Sequence, residues 1–531
     1  MKLIYLLTFT LLISACGGGD SSPPPALTFT PAKIEATLGE GESLQVEVVA
    51  NLNTNLSGAV YVFISDPIGV ITTDFTFVDN GNNTYTATIQ ISPSLPVGDH
   101  QGNIEVKLCQ DFVCSSQHPG SPSLLPYSLN IISMTNLTPL SKLAGVNNWE
   151  TYQANGAHTG YIPVTLDASK FNPRWLWKNP IAETSVSPVV TANDVVYTSV
   201  SGFFASNSAL YAINESDKSS KWQHDFGGIF TLNPPAVTNG KVYAATTGHS
   251  DTFMWSFAAD TGTQQFKTAF SSQWEHYYAP VVDNGLVLTN GGYAGGINAF
   301  STTDGTSTWF TNLHQYDEWT PAVDTDYIYA YLGESCGGCN NAGLSIVNKT
   351  DGTVAATIID PDFDWSGWSI KGAPMVGSSD SVFMINGVNQ YVTNRFIRFN
   401  INKSDIGQSN INWSIAGYYT GQPAQAKGVV YVANNNPYQL EARDEVNGNL
   451  LWSWQPAEQG ETSFTGNIVV TNNLVFVSTN KNVHAIDISS HNSVWKYWNP
   501  GELAISANGI LYIAVNNGLK GAGYLTAFNL H

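Results

Sequence analysis

Aromatic residues beside carboxylates recur in this sequence, each time just before a short apolar run that is typical of a β-strand. Rings next to carboxylates form surfaces that stack on sugars or grip extended peptides. For one ring alone, space filling is the competing interpretation, but four neighbouring clusters together favour binding. We therefore predict a ligand-binding surface for a protein or glycan, built from Trp274, Glu275, His276, Tyr277, Tyr278, Asp317, Glu318, Trp319, Asp364, Trp365, Trp368, Tyr418 and Tyr419.

The cysteines are the second group of residues whose spacing could do chemistry. Four of the five form two close pairs, Cys109 with Cys114 and Cys336 with Cys339. Outside the cytoplasm, close pairs are most simply disulfides. The Cys336-Gly-Gly-Cys339 pair could alternatively be a redox pair or half of a zinc site. No helical pattern follows it and no second CxxC accompanies it, so we favour a disulfide that closes a loop.

Motifs for metal binding or catalysis are weak. The string Asp360-Pro361-Asp362-Phe363-Asp364 resembles a calcium loop, but Trp365 stands where that motif requires glycine. The sequence shows no zinc-binding helix or phosphate-binding loop. We therefore predict no metal site and no catalytic residue.

Composition and charge narrow the class of partner. The formal net charge of −20 argues against nucleic acid, whose phosphates require a basic surface. It also disfavours electrostatic docking to anionic lipid headgroups. Only 12% of the residues are charged, whereas glycine is abundant, which favours β-structure with many turns over helices.

The N-terminus has the features of an export signal. Lys2 precedes an apolar run from Leu3 to Ile13, which is too short to span a bilayer permanently. Small residues then lead into Cys16, so the segment resembles a lipoprotein signal, although an ordinary signal peptide with a chance cysteine is the alternative. The resemblance implies a signal peptide over residues 1–15, lipidation of Cys16, a flexible tether over 16–26 and, because Gly17 follows, the outer membrane.

Two folded regions are expected after the tether. All fifteen tryptophans lie at or after Trp149, which marks a break in composition. Residues 27–133 show short alternating runs separated by turn clusters, a pattern that predicts an immunoglobulin-like β-sandwich. A linker over 134–148 then leads to a repetitive region, residues 149–531.

The repetitive region consists of copies of one unit. Each copy contains four β-like runs, and the copies follow one another at about 36 to 53 residues, the period of a β-propeller blade. The last copy lacks one strand, and Arg174–Lys178 is an orphan strand that would complete it and close the ring. The fold class predicted is therefore all-β, an eight-bladed propeller, with seven blades as the alternative.

The repeat resembles the pyrroloquinoline-quinone (PQQ)-type propeller repeat. The resemblance lies in Pro-x-Val, Val-Tyr and Leu-Tyr-Ala-Ile runs, and in a glycine turn before the outer strand, which carries a tryptophan in several copies. Such turns are Thr261-Gly262, Asp304-Gly305, Asp351-Gly352 and Asn447-Gly448. The entry Trp149–Gln153 with His158-Thr159-Gly160 is also similar. We interpret the recurring tryptophans as packing residues between blades: Trp222, Trp309, Trp413, Trp452 and Trp495.

The resemblance implies two classes of function, because this fold hosts both enzymes and scaffolds. Members that oxidise alcohols bind PQQ and calcium on the propeller axis and commonly have a disulfide between adjacent cysteines. This sequence has no Cys-Cys pair, so we predict no cofactor and keep a PQQ-dependent dehydrogenase as the alternative.

The leading expectation is a non-catalytic lipoprotein of the outer membrane, facing either the periplasm or the exterior. In plan it is similar to the BamB-like propeller lipoproteins of outer-membrane protein assembly, although the sandwich departs from that plan. The lipid would be its membrane attachment. If the aromatic clusters bind a ligand, Trp274→Ala and Trp319→Ala should weaken binding without lowering stability.

Overall fold

The computed structural model describes most of the chain in two compact units, Met1–Met134 and Thr135–His531. The described residues are 3–5, 25–53, 56, 58–73, 76–202, 206–248, 251–272, 278–291, 295–313, 318–332, 343–362, 371–386, 394–458, 460–516 and 523–531. They form strands and two short 3-10 helices, Ala168–Lys170 and Ile406–Gln408. No helix among them is long and apolar enough to cross a membrane. The predicted all-β class is confirmed.

The N-terminal unit is a sandwich of two sheets. Its strands are β1 (Leu3–Tyr5), β2 (Leu27–Thr30), β3 (Ile34–Gly39), β4 (Leu44–Leu52), β5 (Tyr61–Ser65), β6 (Thr76–Gly81), β7 (Thr84–Ile91), β8 (Gly98–Cys109) and β9 (Ser123–Ile132). One sheet has the order β1-β5-β8-β9-β3 and the other β2-β4-β7-β6. Leu27 of β2 and Leu108 of β8 share one core cluster, so the sheets pack face to face.

A disulfide closes the loop that follows β8. Cys109 and Cys114 are bonded, which confirms the prediction for this pair. Inside the loop, the Asp111 carboxylate accepts hydrogen bonds from the backbone N–H groups of Val113, Ser115 and Ser116. These hydrogen bonds, with one from the Ser115 hydroxyl, lower the pKa of Asp111 to about 2. The short loop is therefore ordered by both covalent and polar contacts.

The C-terminal unit contains β10 to β45. They are β10 (Asn172–Lys178), β11 (Ser185–Val186), β12 (Val190–Ala192), β13 (Val195–Ser201), β14 (Ser206–Asn214), β15 (Ser220–Ile229), β16 (Thr231–Leu232), β17 (Ala236–Thr238), β18 (Lys241–Thr247), β19 (Phe253–Ala258), β20 (Gln264–Ala269), β21 (Val281–Asp283), β22 (Leu286–Asn290), β23 (Gly296–Ser301), β24 (Ser307–Asn312), β25 (Glu318–Trp319), β26 (Ala322–Val323), β27 (Tyr327–Leu332), β28 (Gly343–Asn348), β29 (Val354–Ile359), β30 (Lys371–Gly372), β31 (Met375–Val376), β32 (Ser381–Asn386), β33 (Asn394–Asn400), β34 (Asn410–Gly417), β35 (Tyr419–Ala426), β36 (Val429–Asn435), β37 (Tyr438–Asp444), β38 (Leu450–Trp454), β39 (Phe464–Val470), β40 (Leu474–Thr479), β41 (Asn482–Asp487), β42 (Ser493–Trp498), β43 (Glu502–Ile505), β44 (Ile510–Val515) and β45 (Tyr524–Asn529).

These strands form antiparallel meanders, each of four strands in space. Among the described residues they are meander 1 (β11–β15), meander 2 (β16–β20), meander 3 (β21–β24), meander 4 (β26–β29), meander 5 (β31–β34), meander 6 (β35–β38), meander 7 (β39–β42) and meander 8 (β43–β45 with β10). Meanders 1 and 2 have a first strand in two pieces. The first strands of consecutive meanders contact one another, so they surround an axis. We call them the inner strands, and the fourth strand of each meander is its outer strand.

The ring closes through the strand that precedes the first meander. β10 pairs antiparallel with β45, with Trp175 opposite Ala527. The indole Nε1 of Trp175 donates to the carbonyl oxygen of Glu215 in meander 1, at 2.9 Å. The predicted pairing of Arg174–Lys178 with the last strands is therefore confirmed. The pairing covers the edge of β45 and joins the two ends of the array.

The outer tryptophans pack against the next meander, as predicted. Trp222 of meander 1 donates to the carbonyl oxygen of Ala259 in meander 2. Trp309 of meander 3 lies against Gly352 of meander 4, where an added Cβ would sit 2.5 Å from the indole. Gly352 also has a φ of 72°, in the left-handed region. Both facts explain why a glycine turn accompanies the tryptophan in the repeat.

Candidate functional site

Many of the predicted site residues lie outside the described residues. These are Cys16, Trp274, Glu275, His276, Tyr277, Asp317, Cys336, Cys339, Asp364, Trp365 and Trp368. The described members of the aromatic clusters are Tyr278, Glu318, Trp319, Tyr418 and Tyr419, with Glu318 placed in β25. For the residues outside the described part of the chain, the predictions remain predictions.

Trp319 is a packing residue. Its side chain is only 1% exposed and lies in a core cluster with Leu313 and Val347. Leu313 follows the outer strand of meander 3 and Val347 belongs to meander 4, so the indole lies at the seam between two meanders. The expectation that Trp319→Ala would leave stability unchanged is therefore wrong, because the substitution opens a cavity in this core.

Tyr419 is also part of the packing, whereas its neighbour is partly exposed. The Tyr419 ring is buried and its hydroxyl donates to the Glu441 carboxylate at 3.3 Å. Tyr418 is half-buried, and its backbone N–H donates to Asn434 Oδ1 at 3.0 Å. Of this pair, Tyr418 is the residue that solvent and a partner can reach.

The calcium-like string near residue 360 is held by an arginine. The buried Asp360 carboxylate accepts hydrogen bonds from Arg395 Nη2 at 2.5 and 2.6 Å, and one from the Tyr331 hydroxyl at 2.8 Å. A carboxylate already paired with a guanidinium is a poor calcium ligand. Within the described residues, no cluster of three or more ligating side chains is suited to a metal ion.

The axis contains a segment of the chain itself, residues 149–164, which we call the axial segment. Its backbone oxygens accept hydrogen bonds from inner strands at Thr191, Val237, Val323, Val376, Gln425 and Val470. The Thr151 hydroxyl donates to the carbonyl oxygen of Pro280 in meander 3 at 2.7 Å. The segment thus contacts meanders 1 to 7 in order, and it occupies the channel that they surround.

Buried side chains hold the axial segment in place. Gln153 Nε2 donates to the carbonyl oxygens of Pro423 and Ile468, at 3.0 and 3.1 Å. The ring nitrogens of His158 lie 2.7 Å from the Tyr152 carbonyl oxygen and 3.0 Å from that of Pro321. Burial lowers the pKa of His158. The segment is therefore built into the fold.

One tyrosine of the axial segment stacks on a tyrosine outside it. The rings of Tyr152 and Tyr278 lie 4.3 Å apart with an interplanar angle of 3°. Burial, with the neighbouring Tyr278 and Glu502, raises the pKa of the Tyr152 hydroxyl well above its usual value. The stacked pair packs with Ala279 and Ala373, which lie just before the first strands of meanders 3 and 5.

Equivalent positions within or just before the inner strands form an axial layer. They are Ser187, Pro234, Ala279, Thr320, Ala373, Gln422, Asn467 and Glu502. Both side-chain amides of this layer form hydrogen bonds to the backbone of a neighbouring meander. Gln422 exchanges two hydrogen bonds of 2.9 Å with the backbone of Ala373. Asn467 does the same with Leu503, at 2.7 and 2.9 Å, and also donates to Gln153.

Glu502 is the exception in this layer. Its carboxylate atom Oε2 is buried and accepts no hydrogen bond within the described part of the chain. Burial raises the pKa of Glu502 to about 7. The residue as a whole remains partly exposed. A desolvated carboxylate without a donor destabilises its charged form, and a bound cation or donor would remove that cost.

Sequence reasoning missed Glu502 although a signal was present. The aligned copies place a small or neutral residue at this position in every other inner strand, and only the last copy has a charge. The sequences Trp149–Gln153 and His158–Gly160 indicate an entry segment. Their position in the channel follows from hydrogen bonds to distant strands, which no local pattern shows.

Comparison with known proteins supports the fold. Residues 226–454 match the family model described as outer membrane protein assembly factor BamB. The structure is similar to a europium-containing methanol dehydrogenase, with a TM-score of 0.53 and 12% identity over 72% of this chain and 98% of that one. The C-terminal unit has a β-propeller fold, and residues 226–454 of it are similar to the matched family. No curated protein sequence is significantly similar to the chain.

A BamB structure from Moraxella catarrhalis is also similar to this chain. The TM-score is 0.46 and the identity 14%, over 68% of this chain and 99% of that one.

The described residues on the propeller axis do not fit PQQ. That cofactor carries three carboxylates, which need cations or free donors. In the axial layer, the described side chains include no lysine or arginine, and both amides are already bonded to backbone. The charge present is that of Glu502, which would repel a carboxylate. We derive no reaction step through PQQ.

Proposed function

We propose that this protein is a non-catalytic scaffold of the cell envelope, which binds a protein or glycan partner at one mouth of its propeller. The mouth is the end of the ring at which Tyr418 and the equivalent links lead into the first strands of the meanders. The observation that carries the proposal is the axial segment. It occupies the channel with the chain's own residues, from Trp149 in meander 1 to Val164 beside meander 7. Because the chain's own residues fill the channel, we expect a partner to bind at the mouth and not inside the channel.

The family match supports placement in the envelope. The matched model is named for an outer-membrane assembly factor, and the sequence has a cysteine at the end of an export signal. We propose that Cys16 carries lipid and attaches the protein to the outer membrane. Cys16→Ser should release the protein from the membrane fraction, whereas wild type stays bound. Equal fractionation of the two proteins would refute lipid anchoring at this residue.

Site-specific photo-crosslinking in cells tests the mouth as a binding surface. A photoreactive amino acid at Tyr418, on the link into meander 6, should give a discrete adduct with a protein or a glycan. The matched control is Lys427, an exposed residue at the opposite end of the same inner strand. Adducts that form equally from both positions, or from neither, would refute binding at the mouth.

The alternative function, a PQQ-dependent dehydrogenase, has no support from the described axial residues. It makes a clear prediction of its own. Purified protein mixed with PQQ and calcium would show quinone absorbance that stays with the protein, and would reduce an artificial dye in the presence of an alcohol. We expect neither signal. Dye reduction that depends on both additions would replace the scaffold proposal with the enzyme.

A further inference from the structure

Glu502 is poorly explained by the fold, because the other polar side chains of its layer all form hydrogen bonds within the chain. Thr320 donates to the Ala279 carbonyl oxygen at 2.8 Å, and the two amides bridge neighbouring strands. Glu502 is the first residue of β43, so it lies where the link from meander 7 enters meander 8. Its buried Oε2 accepts nothing from the described residues. A buried polar atom of this kind calls for an explanation.

The surroundings of Glu502 select the chemistry of what would bind it. Tyr152 lies close enough for its hydroxyl to be affected by the Glu502 charge, and its ring is stacked on Tyr278. Aromatic faces attract cations. The protein has a formal net charge of −20, and channels lined by one sign of charge concentrate ions of the other. An anionic ligand is disfavoured by each of these features.

A metal ion is a less suitable occupant than an organic cation. One carboxylate with two phenols is too small a ligand set for calcium, which takes six to eight oxygens. In the described part of the chain, Glu502 does not belong to any group of three or more Asp, Glu, His or Cys side chains that could hold a metal ion. An ammonium or guanidinium group needs only one carboxylate and gains from the neighbouring rings.

We propose that Glu502 is a recognition residue at the base of the propeller mouth, which pairs with an ammonium or guanidinium group of the ligand. This inference rests on the proposed function, since it names the chemistry that the same mouth recognises. The group could belong to a lysine or arginine side chain of a polypeptide, or to a free small amine. In both cases the contact is a charge-assisted hydrogen bond to Oε2.

Ligand-observed NMR titrations of the full chain test the chemistry. The probes are n-butylguanidinium, n-butylammonium and neutral n-butanol, together with a capped Gly-Ser-Arg-Ser-Gly peptide and its citrulline counterpart. We expect the cations to bind and n-butanol not to bind, and the arginine peptide to bind about tenfold more tightly than the citrulline peptide. A peptide that binds more tightly than n-butylguanidinium indicates a polypeptide source, and equal affinities indicate a free amine.

Two variants separate this site from general attraction to an acidic protein. Glu502→Gln removes the carboxylate, and we expect it to weaken cation binding about tenfold. Asp405→Asn removes the same charge from an exposed side chain that makes no capping hydrogen bond, and it should change binding less than twofold. Equal effects of the two variants, or citrulline binding as tight as arginine binding, would overturn the inference.

The stability of Glu502→Gln is measured in parallel, so that a folding defect is not mistaken for lost binding. The outcomes also separate this inference from the proposed function. Tyr418 adducts that survive Glu502→Gln, with no effect on cation binding, would refute the axial contact and leave the scaffold standing. Cation binding that depends on Glu502, in a protein that gives no Tyr418 adducts, would refute the scaffold and leave the contact standing.

Discussion

Two carboxylates of the propeller, Glu445 at a seam and Glu502 at the axis, differ in their hydrogen bonds and in the direction of their pKa shifts. Glu445 accepts hydrogen bonds from the Ser378 backbone and hydroxyl, from the Ser381 hydroxyl and from Gln425, all between 2.6 and 2.9 Å. Burial alone would raise its pKa, but these donors outweigh burial and the pKa is lowered. For Glu502, burial acts alone and the pKa rises.

The hydrogen bonds of Glu445 connect neighbouring meanders, whereas Glu502 makes no such connection among the described residues. Glu445 joins meander 6 to Ser378 and Ser381 of meander 5. Other seams use polar groups in the same manner; Lys403, for example, forms ion pairs with Asp324, Asp326 and Asp380. A carboxylate with neither partner nor seam is better explained by something outside the chain.

The largest expected effect concerns the apolar side of a seam. Trp319→Ala should lower the free energy of unfolding by about 4 kcal/mol, because a fully buried indole leaves a cavity. Tyr418→Ala, in a half-buried side chain, should lower it by about 1 kcal/mol or less. Urea denaturation followed by tryptophan fluorescence measures both values. A loss for Trp319→Ala as small as that for Tyr418→Ala would return Trp319 to the binding surface.

The contrast between seams and axis also explains what the sequence could predict. The strands, their repeat and the closing strand around Trp175 follow from local periodicity, and the tryptophan–glycine pairs such as Trp309 with Gly352 follow from the same repeat. Trp319 was placed in a binding surface because it stands among aromatic and acidic neighbours. Its burial depends on Leu313 and Val347 in space, a contact that composition does not report.

The axial site could be predicted least. Gln153 of the axial segment bonds to carbonyl oxygens of Pro423 and Ile468, which lie in meanders 6 and 7. Such pairings join residues that are far apart in sequence, and no repeat encodes them because the axial segment occurs once. Glu502 departs from the repeat at a single position, so only an alignment of the copies with a known axis would have revealed it.

A smaller effect tests the paired carboxylate. Glu445→Ala should lower the free energy of unfolding by about 3 kcal/mol, because it leaves the buried donors of Ser381 and Gln425 without an acceptor. Asp405→Asn is the control, with an expected change below about 0.5 kcal/mol. The measurement is urea denaturation at pH 7. If Glu445→Ala is as stable as the control, the seam does not depend on its polar contacts.

The smallest effect has the opposite sign and concerns Glu502. Its pKa in the folded chain, about 7, is above the ordinary value of a glutamate. At pH values between the two, the folded state therefore binds more protons than the unfolded state. The stability that this provides is present below the ordinary pKa and is lost as the pH rises through 7. Glu502→Gln removes the titration, so the variant should gain on wild type with rising pH, by about 1 to 2 kcal/mol at pH 8 after allowing for partial exposure.

Urea denaturation of both proteins at pH 5, 6, 7 and 8 measures this gain. The direction matters more than its size, because a glutamate held by internal donors would give the reverse: stability lost on substitution at high pH, as expected for Glu445. A cation that binds at Glu502, at a concentration that saturates wild type, should largely cancel the gain, since it binds wild type about tenfold more tightly than the variant. If the stability difference between the two proteins does not change with pH, Glu502 does not carry the desolvated charge on which the axial contact depends.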